Sequence, residues 1–291
     1  MKLFFFLIII VTPLFSFCQT FESNLPIIVI NTFGNEVLDD PRIIANMGII
    51  NNASTENNLN DLHNNYSGQI SIELRGSSSQ QLFPKKSYSF ETQDSNGENN
   101  NVSILNLPEE NDWVLYGAYS DKTFLRNSLT YHLSRQMGHY APRTEFCELF
   151  LNNEYQGLYL LIEKIKRDKN RVDIEKNEKN DITGGYIIKI DKLTDAPINS
   201  SWCSDFTNFN NDKVCFQYHY PKADEITESQ KNRFQIGTKL APYPWRVGRS
   251  GFTKPFLNSL ERLNGKLDIV QLHWSTAKYN PWQEYQILNN L

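Results

Sequence analysis

An α+β domain with mostly antiparallel strand pairing is what this sequence predicts, and three observations predict it. Short runs alternating apolar and polar residues recur along the chain, such as Gln69-Ile-Ser-Ile-Glu-Leu-Arg75. One stretch places Phe124, Leu125, Leu129, Leu133 and Met137 at helical spacing instead. Strand patterns precede and follow that helix, without the regular strand–helix alternation that builds a parallel sheet. Composition agrees, since 291 residues with 40% hydrophobic and 21% charged side chains can bury a sizeable core and are not wholesale disordered. A net charge of −4 argues against a polybasic protein that binds nucleic acid or a membrane surface.

The N-terminus is an address. Met1-Lys2 precedes an apolar run from Leu3 to Phe17, with small side chains at Ser16 and Cys18. This describes a secretory signal peptide over residues 1–18, cleaved before Gln19, and predicts a secreted, periplasmic or cell-surface protein. The run is short for a spanning helix, so no stable membrane span is expected after cleavage. Lipoprotein modification at Cys18 and an uncleaved anchor are the alternatives.

Leu25 to Asn31 is β-branched and reads as a strand, and the Asn-rich stretch from Asn51 to Asn65 as an exposed loop. The alternating strand Gln69–Arg75 ends in Gly76-Ser77-Ser78-Ser79, and Pro84-Lys85-Lys86 opens another through Phe90. After the turn-rich Asp94 to Asn101 comes the apolar run Trp113 to Tyr119. Ser120 or Asp121 then offers an N-cap to the helix Phe124–Met137, which Gly138 stops. Phe146–Asn152 and Gly157–Lys164 read as a hairpin, and Gly184-Gly185 introduces the strand Tyr186–Asp191. Cys203 and Cys215 flank a turn-rich stretch and are placed to close a hairpin in an oxidising compartment, whereas Cys147 lies in an apolar run and reads as a buried thiol. No Cys-x-x-Cys or His-x-x-x-His spacing suggests structural zinc.

Four features carry possible chemistry. Arg75-Gly-Ser-Ser-Ser79 with Lys85-Lys86 is either an anion-binding turn with a phosphate-neutralising lysine or a solvated turn. Arg126, one turn inside its helix, is either an anion contact or half of a structural ion pair. Glu163, followed by Lys164, Lys166, Arg167 and Arg171, is either structurally paired or a nucleotide contact. Asp191 at a strand's end is either solvated or a ligand for a metal such as Mg²⁺.

In combination these segments resemble a known family. Arg75-Gly-Ser-Ser-Ser, Pro84-Lys-Lys-Ser-Tyr88, Asn111-Asp-Trp-Val-Leu115, Tyr119-Ser-Asp-Lys-Thr123 and Leu125-Arg-Asn127 look like the CotH kinase family of spore-coat-protein-H-like atypical kinases. So do the run from Glu148 to Lys166 and Gly184-Gly-Tyr-Ile-Ile-Lys-Ile-Asp191, and the likeness extends from about Leu25 to Glu228. The resemblance implies a divergent protein-kinase-like fold that uses ATP with Mg²⁺ or Mn²⁺ to phosphorylate Ser/Thr of a secreted or surface protein. By position it gives Lys86, or Lys85, the phosphate-binding role and Asp191 the metal. Arg75, Arg126 and Glu163 join the nucleotide site.

Two departures accompany it. Spore-type members carry an aspartate where this chain has Lys166, so the base is unassigned, with Asp168 and Asp173 as displaced candidates. Residues 25–231 read as the kinase-like domain. Residues 232–291, where a helical region should complete the fold, hold breakers at Gly237, Pro242, Pro244, Gly248, Gly251 and Pro255. They read as a divergent or incomplete end, or as a subdomain of their own. The rival functional reading is a catalytically silent binding or assembly module at the cell surface.

Overall fold

The structure, a computed structural model, describes residues 20–178, 182, 184–191, 193, 196, 199–207 and 213–231, together with the backbone of Ile269–Leu272. The expected signal peptide and almost all of residues 232–291 lie outside the described residues. In chain order the elements begin with β1 (Glu22–Ser23), β2 (Ile27–Asn31), β3 (Ile43–Ile50), β4 (Asn57–Asn58), β5 (Tyr66–Arg75), α1 (Ser78–Leu82), β6 (Ser87–Gln93) and β7 (Asp112–Tyr116). They continue with α2 (Arg126–Gln136), β8 (Thr144–Leu151), β9 (Glu154–Glu163), β10 (Ile187–Ile190), β11 (Ser201–Thr207), β12 (Lys213–Tyr220) and β13 (Ile269–Leu272). The α+β, mostly antiparallel layout is present among the described residues, with β3, β4 and α1 added to the elements the sequence suggests.

Seven strands close a barrel in the order β2-β3-β5-β6-β7-β9-β8. Alternation fills it. Ile70 and Ile72, Tyr88 and Phe90, Trp113 and Leu115, Cys147 and Leu149, and Tyr159 and Leu161 are pairs two residues apart on successive strands, and all are buried in one core. Barrel neighbours pair antiparallel except β2 and β8, whose parallel register runs from Ile27 opposite Glu148 to Ile30 opposite Leu151. That parallel seam closes the ring and removes its edges.

The closed ring depends on β3, which has no clear sequence signal. Ile43 to Ile50 lacks alternation and carries Asn46 and Gly48. Gly48 is required by close approach, because a Cβ there would lie 2.1 Å from the His63 ring. The Asn51–Asn65 stretch is also more than a loop: β4 within it pairs with β1, and the buried Asn57 donates from Nδ2 to the Leu25 carbonyl at 2.8 Å. The Gly/Ser turn leads at once into α1, with Gly76 at φ +107°.

α2 begins later than its apolar spacing suggests, since Phe124 adopts a left-handed backbone (φ 59°) that cannot belong to the helix. Neither Ser120 nor Asp121 is the N-cap residue. The Asp121 carboxylate instead reaches the first helical N–H, that of Arg126, at 3.0 Å. The expected apolar stripe is not core either: Leu125, Leu129 and Met137 are exposed, and the helix meets the barrel through Tyr131 against Val114, Leu160 and Ile162.

A second sheet has the order β11-β12-β10-β13. Cys203 and Cys215 stand opposite each other in its hairpin and form a disulfide, while Cys147 is a buried thiol, both as the sequence suggests. Lys189 pairs with Gln217 and Ile188 with Tyr218. Period two therefore separates an apolar face, Ile188 and Tyr218 packed with Tyr186, Ile226, Trp202 and Phe216, from a polar one bearing Lys189, Asp191, Gln217 and His219. No helix among the described residues is long and apolar enough to cross a membrane.

Candidate active site

The same alternation that sends Ile72 and Leu74 inward on β5 turns Glu73 and Arg75 outward. On β7 it turns Asp112, the first residue of the strand, outward beside the inward Trp113. This polar flank of the barrel meets the polar face of the second sheet. The junction is tied at one point by His219, whose Nε2 lies 2.9 Å from the Ile165 carbonyl.

Arg75 is the charged centre of this junction. Burial is the main influence on its guanidinium and pulls its pKa below the ordinary arginine value, against the fields of Tyr131, Glu73, Asp191 and Asp112. Its half-buried side chain makes no hydrogen bond or ion pair with any described residue, which leaves its donors open to water or to an anion. The other cations here are paired. Lys189 lies 3.7 Å from Asp191. Lys164 and Lys166 hold the two Asp112 oxygens at 2.9 and 2.8 Å. Burial alone would raise the Asp112 carboxyl, yet Lys164 and Lys166 together hold it well below the usual carboxylate range. Across the strand pair, burial and then Asp112 push the Glu91 carboxyl up.

Of the candidates read from sequence, the structure brings together Arg75 and Asp191. Lys85 and Lys86 are engaged elsewhere. Lys85 donates to the Leu158 carbonyl at 2.6 Å and lies over the Tyr159 and Phe124 rings, and burial lowers its pKa. Lys86 donates to the Gln80 and Phe83 carbonyls at the end of α1. The Arg126 side chain is 74% exposed and 3.6 Å from Asp121.

Glu163 faces the barrel interior, opposite Trp113, and its side chain is wholly buried. One oxygen accepts from Arg143 Nε at 2.7 Å and Arg171 Nη1 at 2.8 Å, the other from the Arg143 backbone at 2.9 Å. Arg171 then lies over the Trp113 ring, 4.7 Å from its centroid. This cluster plugs one end of the barrel. Asp168 accepts the Asn170 N–H at 2.7 Å as a turn residue, and Asp173 is exposed. Lys166 reaches Glu110 and Asp112, each at 2.8 Å. Burial weakens its proton affinity, but those carboxylates outweigh burial and raise its pKa.

Sequence reasoning missed His219, Lys189 and Asp112. One signal was present: Lys189-Ile-Asp191 and Gln217-Tyr-His219 share the spacing of a strand face. Only the register of β10 against β12 shows that the two faces coincide.

Residues 72–237, more than half of the chain, match the CotH kinase protein family. The chain belongs to that family. Every junction residue named above, from Arg75 to His219, falls inside the matched span. A comparison with curated proteins finds the chloroplastic pyridoxal reductase of Arabidopsis thaliana, 39% identical over 71 residues, which make up 24% of this chain and 20% of that protein. The chain thus spans about a fifth of that relative's length.

Proposed function

We propose that this CotH family member is an exported atypical kinase, transferring phosphate from ATP to Ser/Thr of a secreted or surface protein. The observation that carries the reading is Arg75, a half-buried guanidinium that no described residue hydrogen-bonds, in the field of the Asp191 carboxylate at the join of two sheets. A guanidinium so placed suits the bidentate grip of a phosphate. A kinase-like arrangement, with nucleotide between a barrel-like lobe and a second sheet, is consistent with this position.

The divalent metal has a fitting ligand. Among the described residues no group of three or more His, Cys, Asp or Glu is arranged to hold a metal, so a cation needing many protein ligands is a poor match. Mg²⁺ and Mn²⁺ accept one or two carboxylates and take the rest from phosphate and water. Asp191 is a hard oxygen donor at the junction, and a metal bound there would neutralise phosphate charge.

The test is thermal stability with ATP and Mn²⁺. A ligand present at 100 times its Kd raises the folded state by about 2.7 kcal/mol. We expect a clear rise in Tm for the parent, loss of its metal-dependent part in Asp191→Ala, and for Arg75→Met a greater loss of affinity for ATP than for adenosine. A cooperative parent that ATP and Mn²⁺ do not stabilise would overturn the reading. The second reading, a silent binding module, is favoured by Lys166, which puts an ion-paired lysine where a carboxylate base would stand. Nucleotide binding without any phosphoryl transfer would decide for it.

A further inference from the structure

We infer that His219 is the general base of this site, receiving the proton of the acceptor hydroxyl on Nδ1. The inference rests on the phosphoryl-transfer reading above and supplies the base that Lys166, Asp168 and Asp173 do not. A carbonyl oxygen only accepts, so the 2.9 Å contact with Ile165 requires the proton on Nε2. In a neutral imidazole that leaves the lone pair on Nδ1. No described residue hydrogen-bonds to that nitrogen. The ring lies on the polar face of β12, with Lys189 of β10, Lys164 beyond β9 and Arg75 of β5 as its charged neighbours. Lys189 and Lys164 are in turn paired with Asp191 and Asp112.

Charge and burial keep the ring ready. Burial lowers its pKa most, the Ile165 bond opposes this, and Lys189, Lys164 and Arg75 lower it further. The imidazole's proton affinity is therefore held below that of an ordinary histidine, which favours the neutral ring. In the step, the hydroxyl oxygen bonds to the γ-phosphorus and its proton passes to Nδ1. The bond from that phosphorus to the β–γ bridging oxygen breaks, and its electron pair leaves with ADP. The imidazolium returns its proton to water, leaving a phosphate monoester. A loose transition state asks little basicity of such a group, which suits a weak base.

His219→Gln is the informative variant, because the glutamine amide can still donate to Ile165 while the Nδ1 lone pair is gone. With the full chain we expect the Tm rise given by ATP and Mn²⁺ to persist. ATP hydrolysis, with water as the acceptor, should fall about 10²–10⁴-fold. Added imidazole should restore part of the turnover of His219→Ala, and turnover of the parent should decline in acid as Nδ1 protonates. Independently of turnover, ¹⁵N NMR of the parent should show a neutral ring at pH 7 with its proton on Nε2. The base is overturned by undiminished turnover in His219→Gln, by an imidazolium at pH 7, or by an Ala variant that binds ATP yet gains nothing from imidazole. A parent that binds ATP but transfers nothing, to water or to a Ser/Thr peptide, overturns the base and leaves the nucleotide site standing. A parent that ATP and Mn²⁺ do not stabilise overturns the nucleotide site, and the base with it.

Discussion

Removing the Glu163 carboxylate would leave Arg171 charged in the barrel interior with nothing to balance it. We therefore expect Glu163→Gln to cost about 3–5 kcal/mol of stability, measured by denaturant unfolding. If Glu163 contacted nucleotide instead, the variant would keep its stability and lose ATP affinity, the reverse pattern. Asp112 makes a pH prediction. Its folded-state pKa is depressed, so its contribution is present above the unfolded carboxylate value of about 3.9 and is lost as pH falls through the folded value. Asp112→Asn should lose about 1–3 kcal/mol at pH 7. Below about pH 4 its stability should fall less steeply than the parent's. At this scale the sequence was legible where chemistry is local. Arg75 beside a glycine turn and Asp191 at a strand end each stand out within a few residues, and the structure brings the two near each other. The Glu163 partners sit 20 and 8 positions away, and no local pattern separates a buried ion cluster from a nucleotide contact.

Helix α2 shows how spacing misleads when packing chooses another side chain. Its leucines occupy helical spacing, yet Tyr131 is the residue seated against the barrel flank. Tyr131→Ala, at a partly buried aromatic, should cost about 1–3 kcal/mol, less than the loss of a fully buried ring. Leu129→Ala, at an exposed position, should stay within about 0.5 kcal/mol. A reversed order in chemical denaturation would restore the leucine stripe as the packing face. The β11–β12 hairpin carries a separate expectation. Its disulfide spans 12 positions, and opening a loop of that length should cost about 3 kcal/mol on the chain-entropy account. Hydrogen exchange after reduction should show lost protection in β11 and β12 before the barrel strands change. The cysteine pairing was legible because turn residues lie between the two positions. β3 was not, because its asparagine and glycine positions are set by neighbours that only the fold supplies.

For the whole molecule, strand and helix types were readable one segment at a time, whereas the closed ring was not. Closure depends on a register between the first barrel strand and the hairpin that follows α2, a relation no window of sequence contains. That seam also has a consequence in time. Thr32, just past the end of β2, hydrogen-bonds through its backbone N–H to the side chain of Asn152, 120 positions later. At ribosomal rates of 5–20 residues per second, about 6–24 s separate the emergence of those two partners. Until then β2, with Ile27, Ile28 and Ile30, has no β8 to pair with. The nascent chain must carry an apolar, half-paired edge through that interval, long enough for a chaperone to engage it or for two such chains to meet.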